Sequence, residues 1–215
     1  MRTTQLLANA TLALSSGMSC LSSAASEAHA ANGENLFAFI GEKISLEKQE
    51  PPACDRCIIM DQYYVAHYRI LDTVFGDYRG NTIAFDVYDH YGEPRFSQGD
   101  TVLLFVSRRP NGTWIHEKYQ YAELHQGADG EWYGCGDPYG RGFTGQRSVK
   151  ARPVQFAAPV SYPLTELDPE EIKKYYPSEY FELRDGRAYC TVGTSVADLF
   201  TAKKETVLTA RGIFK

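Results

Sequence analysis

The side chains most able to do chemistry in this sequence lie on two neighbouring predicted strands. Asp86, Tyr88 and His90 alternate along one strand and therefore share one of its faces. His67 and Arg69 share a face of the preceding strand by the same rule, but the register between the two strands does not follow from the sequence. If the two faces coincide, two imidazoles, a guanidinium and a carboxylate form one cluster that could bind a ligand or perform acid–base chemistry. The alternative is a solvated sheet face with ordinary cross-strand pairs.

The sequence carries none of the short motifs that identify common catalytic or nucleotide-binding sites. It has no Gly-x-Ser-x-Gly elbow, no His-Glu-x-x-His helix and no Gly-x-Gly-x-x-Gly after a strand. We therefore predict no cofactor and no metal, and we favour a binding protein over an enzyme. A small secreted hydrolase that uses His67, His90 and Asp86 is one alternative, and a structural component of the cell envelope is another.

A second candidate site is the glycine-rich segment 127–152. Its many unrestricted backbone positions predict a long surface loop. The rings of Trp132, Tyr133 and Tyr139, followed by the cation Arg141, could form a rim that grips an anionic or glycan partner. The alternative is a mobile surface loop without a ligand.

The first thirty residues have the pattern of a secretory signal peptide. Arg2 precedes the short apolar run 6–14, and the small-residue tract ends in Ala28-His29-Ala30, an A-x-A cleavage pattern. The apolar run is too short to span a bilayer. The sequence thus predicts an exported protein, periplasmic or extracellular, whose mature chain begins at Ala31. A lipoprotein anchored at Cys20 is the alternative.

The other four cysteines predict disulfide bonds. Cys54, Cys57, Cys135 and Cys190 form an even set in an exported chain, which allows three pairings that the sequence does not distinguish. Cys54 and Cys57 have C-x-x-C spacing, but a Pro-rich loop before them and a strand after them do not fit a redox motif. No histidine among His67, His90, His116 and His125 has the spacing of a zinc finger.

The charge balance restricts the class of partner. The chain has 22 Lys and Arg against 27 Asp and Glu, a formal net charge of −5. Because nucleic-acid binding is largely cationic in origin, this balance argues against a nucleic-acid partner. The expected partner is a protein or an extracellular polymer.

Five strands rich in β-branched and aromatic residues are predicted in the first half of the mature chain. Gly41, inside the first strand, predicts a bulge or a sharp bend. In the third strand, alternation places Ile83, Phe85 and Val87 inward. The fourth is a continuous apolar run, as for a strand covered on both faces. The predicted bounds are 35–48, 63–75, 82–89, 101–106 and 113–121.

This arrangement resembles the OB-fold, and more particularly the netrin-like module that includes the tissue inhibitors of metalloproteinases. The resemblance covers residues 36–121 and rests on Phe39-Ile40-Gly41-Glu42, on Tyr68-Arg69-Ile70-Leu71 leading to Val74-Phe75-Gly76, and on the run 99–106. It implies a mainly β fold, a five-stranded OB-like barrel, with binding on the barrel wall; inhibition of a secreted enzyme would be one form of that binding. The inhibitors chelate zinc through an N-terminal cysteine, but the mature start Ala31-Asn32-Gly33 has none, so that mechanism does not carry over.

The remainder is predicted to be a small α/β C-terminal extension. Asp168 and Pro169 begin a helix that Pro177 ends, and Asp185-Gly186 forms a type I′ hairpin turn. Residues 194–200 could form a short helix capped by Thr194 or Ser195. The predicted domains are a signal peptide 1–30, a barrel 31–126, a Gly-rich loop 127–152 and an extension 153–215.

Overall fold

The computed structural model describes residues 32–51, 58–139 and 143–215. The signal peptide with Cys20, the pair Cys54 and Cys57, and Arg141 all lie outside the described residues. The described chain is mainly β, with three sheets and two short α-helices near its end. None of the helices in these ranges is long and apolar enough to cross a membrane.

Five strands form one closed sheet. They are hydrogen-bonded in the order β1-β2-β3-β5-β4, and β4 returns to β1. All neighbours are antiparallel except β3 and β5, which are parallel. The five predicted strands are confirmed, with each end within two residues of its prediction. Their bounds are β1 Leu36–Gln49, β2 Gln62–Phe75, β3 Thr82–Asp89, β4 Thr101–Arg108 and β5 Trp114–Glu123.

Strand β1 bends where the sequence predicts it. Its pairing with β2 shifts register at three places, one of them between Ile40 and Gly41. A Cβ atom on Gly41 would lie 2.7 Å from the Phe39 ring, so only glycine fits there without a shift of neighbours. The bend lets β1 pair with β4 along its first half and with β2 along almost its whole length, which closes the sheet.

The inside of the closed sheet is an apolar core. The predicted inward positions Ile83, Phe85 and Val87 are confirmed, each at most 2% exposed. Burial of side chains of this size stabilises the fold by roughly 1.5–3 kcal/mol each. The core consists of Phe37, Phe39, Tyr64, Ala66, Tyr68, Ile83, Phe85, Val87, Phe96, Val102, Leu104 and Val106.

A second core lies outside the closed sheet, between β1, β4 and the C-terminal segment. Helix α2, Val196–Lys203, begins after the predicted cap Ser195, whose side chain accepts a hydrogen bond from the Asp198 N–H. A π-helical turn, Lys204–Leu208, continues it. Because this segment covers β4, the run 102–106 is fully buried, as predicted. The core contains Leu36, Ala38, Ile40, Leu103, Phe105, Leu124, Leu199, Leu208 and Phe214.

Two small sheets occupy the remaining part of the chain. The first has the order β6-β7-β12-β8, built from His125–Gln126, Trp132–Cys135, Val192–Ser195 and Arg152–Pro153. The second has the order β10-β11-β9, built from Phe181–Arg184, Arg187–Cys190 and Ser161–Pro163. The prediction of a continuous loop over 127–152 was therefore wrong at 132–135. That strand pairs with residues 58 to 62 positions further along the chain, such as Gly134 with Thr194.

A disulfide bond joins the two small sheets. Cys135 at the end of β7 and Cys190 at the end of β11 are bonded, with their Cα atoms 6.0 Å apart. This bond excludes the pairings in which either residue would bind Cys54 or Cys57.

The predicted local signals in the C-terminal part are confirmed. Helix α1, Pro169–Tyr175, begins with a capping box in which Asp168 and Glu171 exchange hydrogen bonds. Asp185 and Gly186 have φ of 51° and 68°, as a type I′ turn requires, and they connect β10 to β11.

Candidate binding surface

The outer face of β2 and β3 presents an aromatic and charged group of side chains. The register places Tyr63 opposite Tyr88 and Val65 opposite Asp86. The two tyrosine rings stack, with centroids 4.9 Å apart and planes inclined by 14°. Arg109, from the turn between β4 and β5, completes this group. We call Tyr63, Asp86, Tyr88 and Arg109 the wall cluster.

Asp86 is the centre of the wall cluster. The Tyr63 hydroxyl donates to its Oδ1 at 2.9 Å, and the Arg109 guanidinium donates to its Oδ2. The same guanidinium lies 5.9 Å from the centroid of the Tyr88 ring. Partial burial and the hydrogen bond to Asp86 raise the pKa of Tyr63 to about 12, so its hydroxyl remains a donor. Since both oxygens of Asp86 are engaged, this carboxylate is poorly placed to act as a general base.

His90 belongs to a different group of charges. Its Nδ1 lies 3.2 Å from the Met60 carbonyl oxygen and 3.6 Å from Asp61 Oδ1. The other carboxylate oxygen of Asp61 accepts a hydrogen bond from Lys118 Nζ at 2.6 Å. This arrangement connects the end of β3 to β5 and to the segment before β2.

His67 and Arg69 do not join the wall cluster. Arg69 is exposed and forms an ion pair with Glu42 at 3.3 Å. His67 lies opposite Ala84, and its side chain has no hydrogen bond or ion pair with the other described residues. The five predicted residues therefore do not form one cluster. Asp86 and Tyr88 belong to the wall cluster, His90 lies beside Asp61, and neither His67 nor Arg69 joins either group.

An exposed apolar patch adjoins the wall cluster. Ile58, Met60 and Tyr91 are 90%, 66% and 85% exposed, and Tyr119 is 42% exposed. The Tyr91 ring packs edge-on against His90, with centroids 5.3 Å apart, and lies 5.9 Å from the Tyr119 ring. A shallow depression of about 530 Å³ links this patch to Tyr88. Apolar side chains gathered in this way on a protein surface mark interaction sites.

Two rings predicted to line a binding rim are instead buried. Tyr133 is 6% exposed, and its hydroxyl donates to Asp129 Oδ2 at 2.7 Å. Tyr139 is 5% exposed and stacks on Phe143, with centroids 4.7 Å apart. The prediction that these rings form a stacking rim was wrong, because both rings pack within the fold.

Of the other two residues of the predicted rim, only Trp132 lies within the described part of the chain. Trp132 is partly buried and packs against the second core, which lies outside the closed sheet. Arg141 lies outside the described residues. A neighbouring cation, Arg147, instead lies 5.1 Å from the Tyr139 ring and pairs with Asp137 at 2.7 Å.

Several residues of the surface were missed by the sequence reasoning. Tyr63 has the same strand parity as His67, so alternation alone could have identified it. Arg109 was recognised only as part of a turn. The parallel pairing of Asp86 with Ile115, which the sequence does not reveal, brings that turn beside β3. His116, considered only as a zinc ligand, is a buried side chain of β5.

Within the described ranges, no group of three or more His, Cys, Asp or Glu is arranged to hold a metal ion. Comparison of the chain with protein-family models, with curated proteins and with solved structures finds no match.

Proposed function

We propose that this chain is an exported binding module that engages a protein partner through the wall cluster and the adjacent apolar patch. The observation that carries the proposal is the exposure of Ile58, Met60 and Tyr91 beside a fixed group of tyrosines and an arginine. Tyr, Met and Arg are enriched at protein interfaces, and Tyr and Arg frequently dominate their energetics. An extracellular polymer is the other partner class, and the test below distinguishes the two.

The topology supports an OB-type barrel as the scaffold. The order β1-β2-β3-β5-β4 is closed and has one parallel pair. OB-type barrels bind their ligands on the face of strands 2 and 3 and through the loops before strand 2 and before strand 5. The wall cluster lies on β2 and β3, Met60 precedes β2, and Arg109 precedes β5. The candidate surface therefore occupies the face that this architecture generally uses.

Export is supported by two independent features. Residues 1–30 have the signal-peptide pattern, with a lipid anchor at Cys20 as the alternative form of export. The Cys135–Cys190 disulfide is typical of an oxidising compartment.

A capture experiment tests the proposal. The mature chain, residues 31–215, is immobilised and incubated with cell-envelope extract, alongside the double variant Met60→Ser/Tyr91→Ser. The matched control is Leu183→Ser, because Leu183 is 47% exposed in the distant β10–β11 hairpin. We expect the wild type and the control to retain a protein that the double variant loses. Equal capture by all three would contradict the proposed surface, and capture resistant to protease treatment of the extract would indicate a polymer.

A further inference from the structure

A second cavity, of about 720 Å³, opens between the 3₁₀ helix Arg95–Gln98 and strand β5. Its volume is in the range of small-molecule sites, roughly 300–1,000 Å³. Its walls combine carboxylates, an imidazole and aromatic rings. The lining includes Asp89, Glu93, Arg95, Phe96, His116 and Tyr121.

The imidazole of His116, which lines this cavity, carries a hydrogen-bond acceptor. The residue is only 6% exposed, and its Nε2 lies 2.9 Å from the Gln120 carbonyl oxygen, to which it donates. Nδ1 is then the unprotonated nitrogen of a neutral ring. Burial lowers the pKa of His116 to about 4, which keeps the ring neutral at physiological pH.

Asp89 presents a second acceptor. It is 8% exposed, and its Oδ1 accepts a hydrogen bond from the Tyr91 N–H at 2.8 Å. Asp89 Oδ2 and His116 Nδ1 have no hydrogen bond to the other described residues, and both residues line the cavity.

Aromatic rings surround these two acceptors. The Phe96 ring lies 4.6 Å from the His116 ring and 6.1 Å from the Tyr121 ring. The faces of such rings attract cations. The lining contains two carboxylates, Asp89 and Glu93, and one guanidinium, Arg95. Asp89 is buried, whereas Glu93 and Arg95 are exposed. The inner part of the cavity thus offers acceptors, negative charge and ring faces, which favours a positively charged donor.

We propose that this cavity binds an organic cation, a primary ammonium or guanidinium group carried on a short apolar chain. The N–H groups of the ligand donate to Asp89 Oδ2 and His116 Nδ1, and its chain lies against Phe96 and Tyr121. A free alkylamine and a Lys or Arg side chain of a polypeptide share this chemistry. The proposal does not depend on protein capture by the wall cluster.

Isothermal titration of the mature chain with n-butylammonium and with agmatine tests the proposal. We expect saturable binding of at least one of the two, with n-butanol, the neutral analogue of n-butylammonium, at least tenfold weaker. Asp89→Asn should weaken binding of the cation by ten- to a hundredfold, because a charge-assisted contact is lost. Glu182→Gln, which removes an exposed carboxylate that does not line the cavity, should leave binding unchanged. Tighter binding of a blocked lysine peptide than of both free amines would identify a polypeptide as the source.

Nuclear magnetic resonance on the wild type keeps the test independent of variant folding. Agmatine should shift the ¹⁵N resonance of His116 Nδ1, with little change at His67, which does not line the cavity. No saturable binding of either cation, or binding of n-butanol equal to that of n-butylammonium, would overturn the proposal. Binding of acetate in place of the cations would also overturn it, because Arg95 would then dominate the site.

Discussion

Tyr63 and Tyr88 lie directly opposite each other on β2 and β3, with their rings stacked 4.9 Å apart. The stack fixes the Tyr63 hydroxyl on Asp86, which also receives the guanidinium of Arg109. Three elements of the closed sheet are thus connected at one surface before any partner arrives. A surface ordered in advance loses less side-chain entropy on binding.

The first prediction concerns Tyr88. Tyr88→Ala removes the stack and the ring beside Arg109, so we expect the affinity for the captured partner to fall at least tenfold, as for interface residues of this type. Stability should fall by only about 1 kcal/mol, because the pair lies on the outer face. Surface plasmon resonance and urea unfolding measure the two effects. Tyr189→Ala is the matched control. Tyr189 is also a tyrosine on a strand beside an arginine, and the guanidinium carbon of Arg184 lies 3.7 Å from the centroid of its ring.

The second prediction separates binding from hydrolysis. His90 lies 3.6 Å from Asp61, whose other oxygen is held by Lys118, and Asp86 is fully engaged. We therefore expect His90→Ala to leave any background hydrolysis of p-nitrophenyl esters unchanged while it weakens partner capture. A hundredfold loss of turnover with unchanged capture would instead support the hydrolase.

The third prediction is a pH dependence of stability caused by His116. Its pKa in the folded chain is about 4, lowered first by burial, while Arg211 acts in the same direction. The unfolded chain, with an ordinary pKa of about 6.5, binds the proton first as pH falls. The free energy of unfolding should therefore decrease from pH 6.5 towards pH 4, and His116 contributes no further loss below that. The loss is on the order of 3 kcal/mol, at about 1.4 kcal/mol for each pKa unit.

Urea unfolding at pH 7.0, 5.5 and 4.0 measures this effect. His116→Gln should show a smaller decrease across the same window, because its side chain does not titrate and can still donate to the Gln120 carbonyl. Identical pH profiles for the two proteins would show that other groups, including the cavity carboxylates Asp89 and Glu93, govern the dependence.

The fourth prediction concerns the disulfide between the small sheets. Cys135 and Cys190 are 55 residues apart in sequence, so the bond restricts a long loop in the unfolded chain. Replacing both by serine should lower the free energy of unfolding by about 4 kcal/mol in the chain-entropy model. Thiol alkylation followed by intact-mass measurement should find neither residue reactive in the folded wild type. An unfolding midpoint unchanged by the double substitution would contradict the prediction.

The strands of the closed sheet could be predicted from local sequence, because each has a recognisable apolar pattern and a turn at each end. The error over 127–152 has a different origin. Strand β7 exists because β12 supplies its hydrogen-bond partner, and that partner lies nearly sixty residues further along the chain. Glycine content describes local freedom and contains no information about such a partner.

The inward position of His116 was hidden for a local reason. Tyr119 adopts φ of 66°, and the register of β5 against β4 shifts between Leu104 and Val106. Simple alternation therefore fails along β5: His116 and Tyr121, five residues apart, both contact the core residue Phe96. His116 could not be recognised as a cavity residue without this irregularity, whereas Asp89 shares the inward parity of Ile83, Phe85 and Val87 on β3.

The first half of β1 has no solvent face: Phe37 and Phe39 fill one core, and Leu36, Ala38 and Ile40 fill the other. A slip of one residue in the pairing of β1 would move Phe37 and Phe39 to the face that now carries Ala38. Neither core would then be filled by side chains of the right size. Single-residue insertions and deletions in this stretch should be the least tolerated lesions in the molecule. The two cores should consequently unfold together, as one cooperative unit, although a sheet separates them.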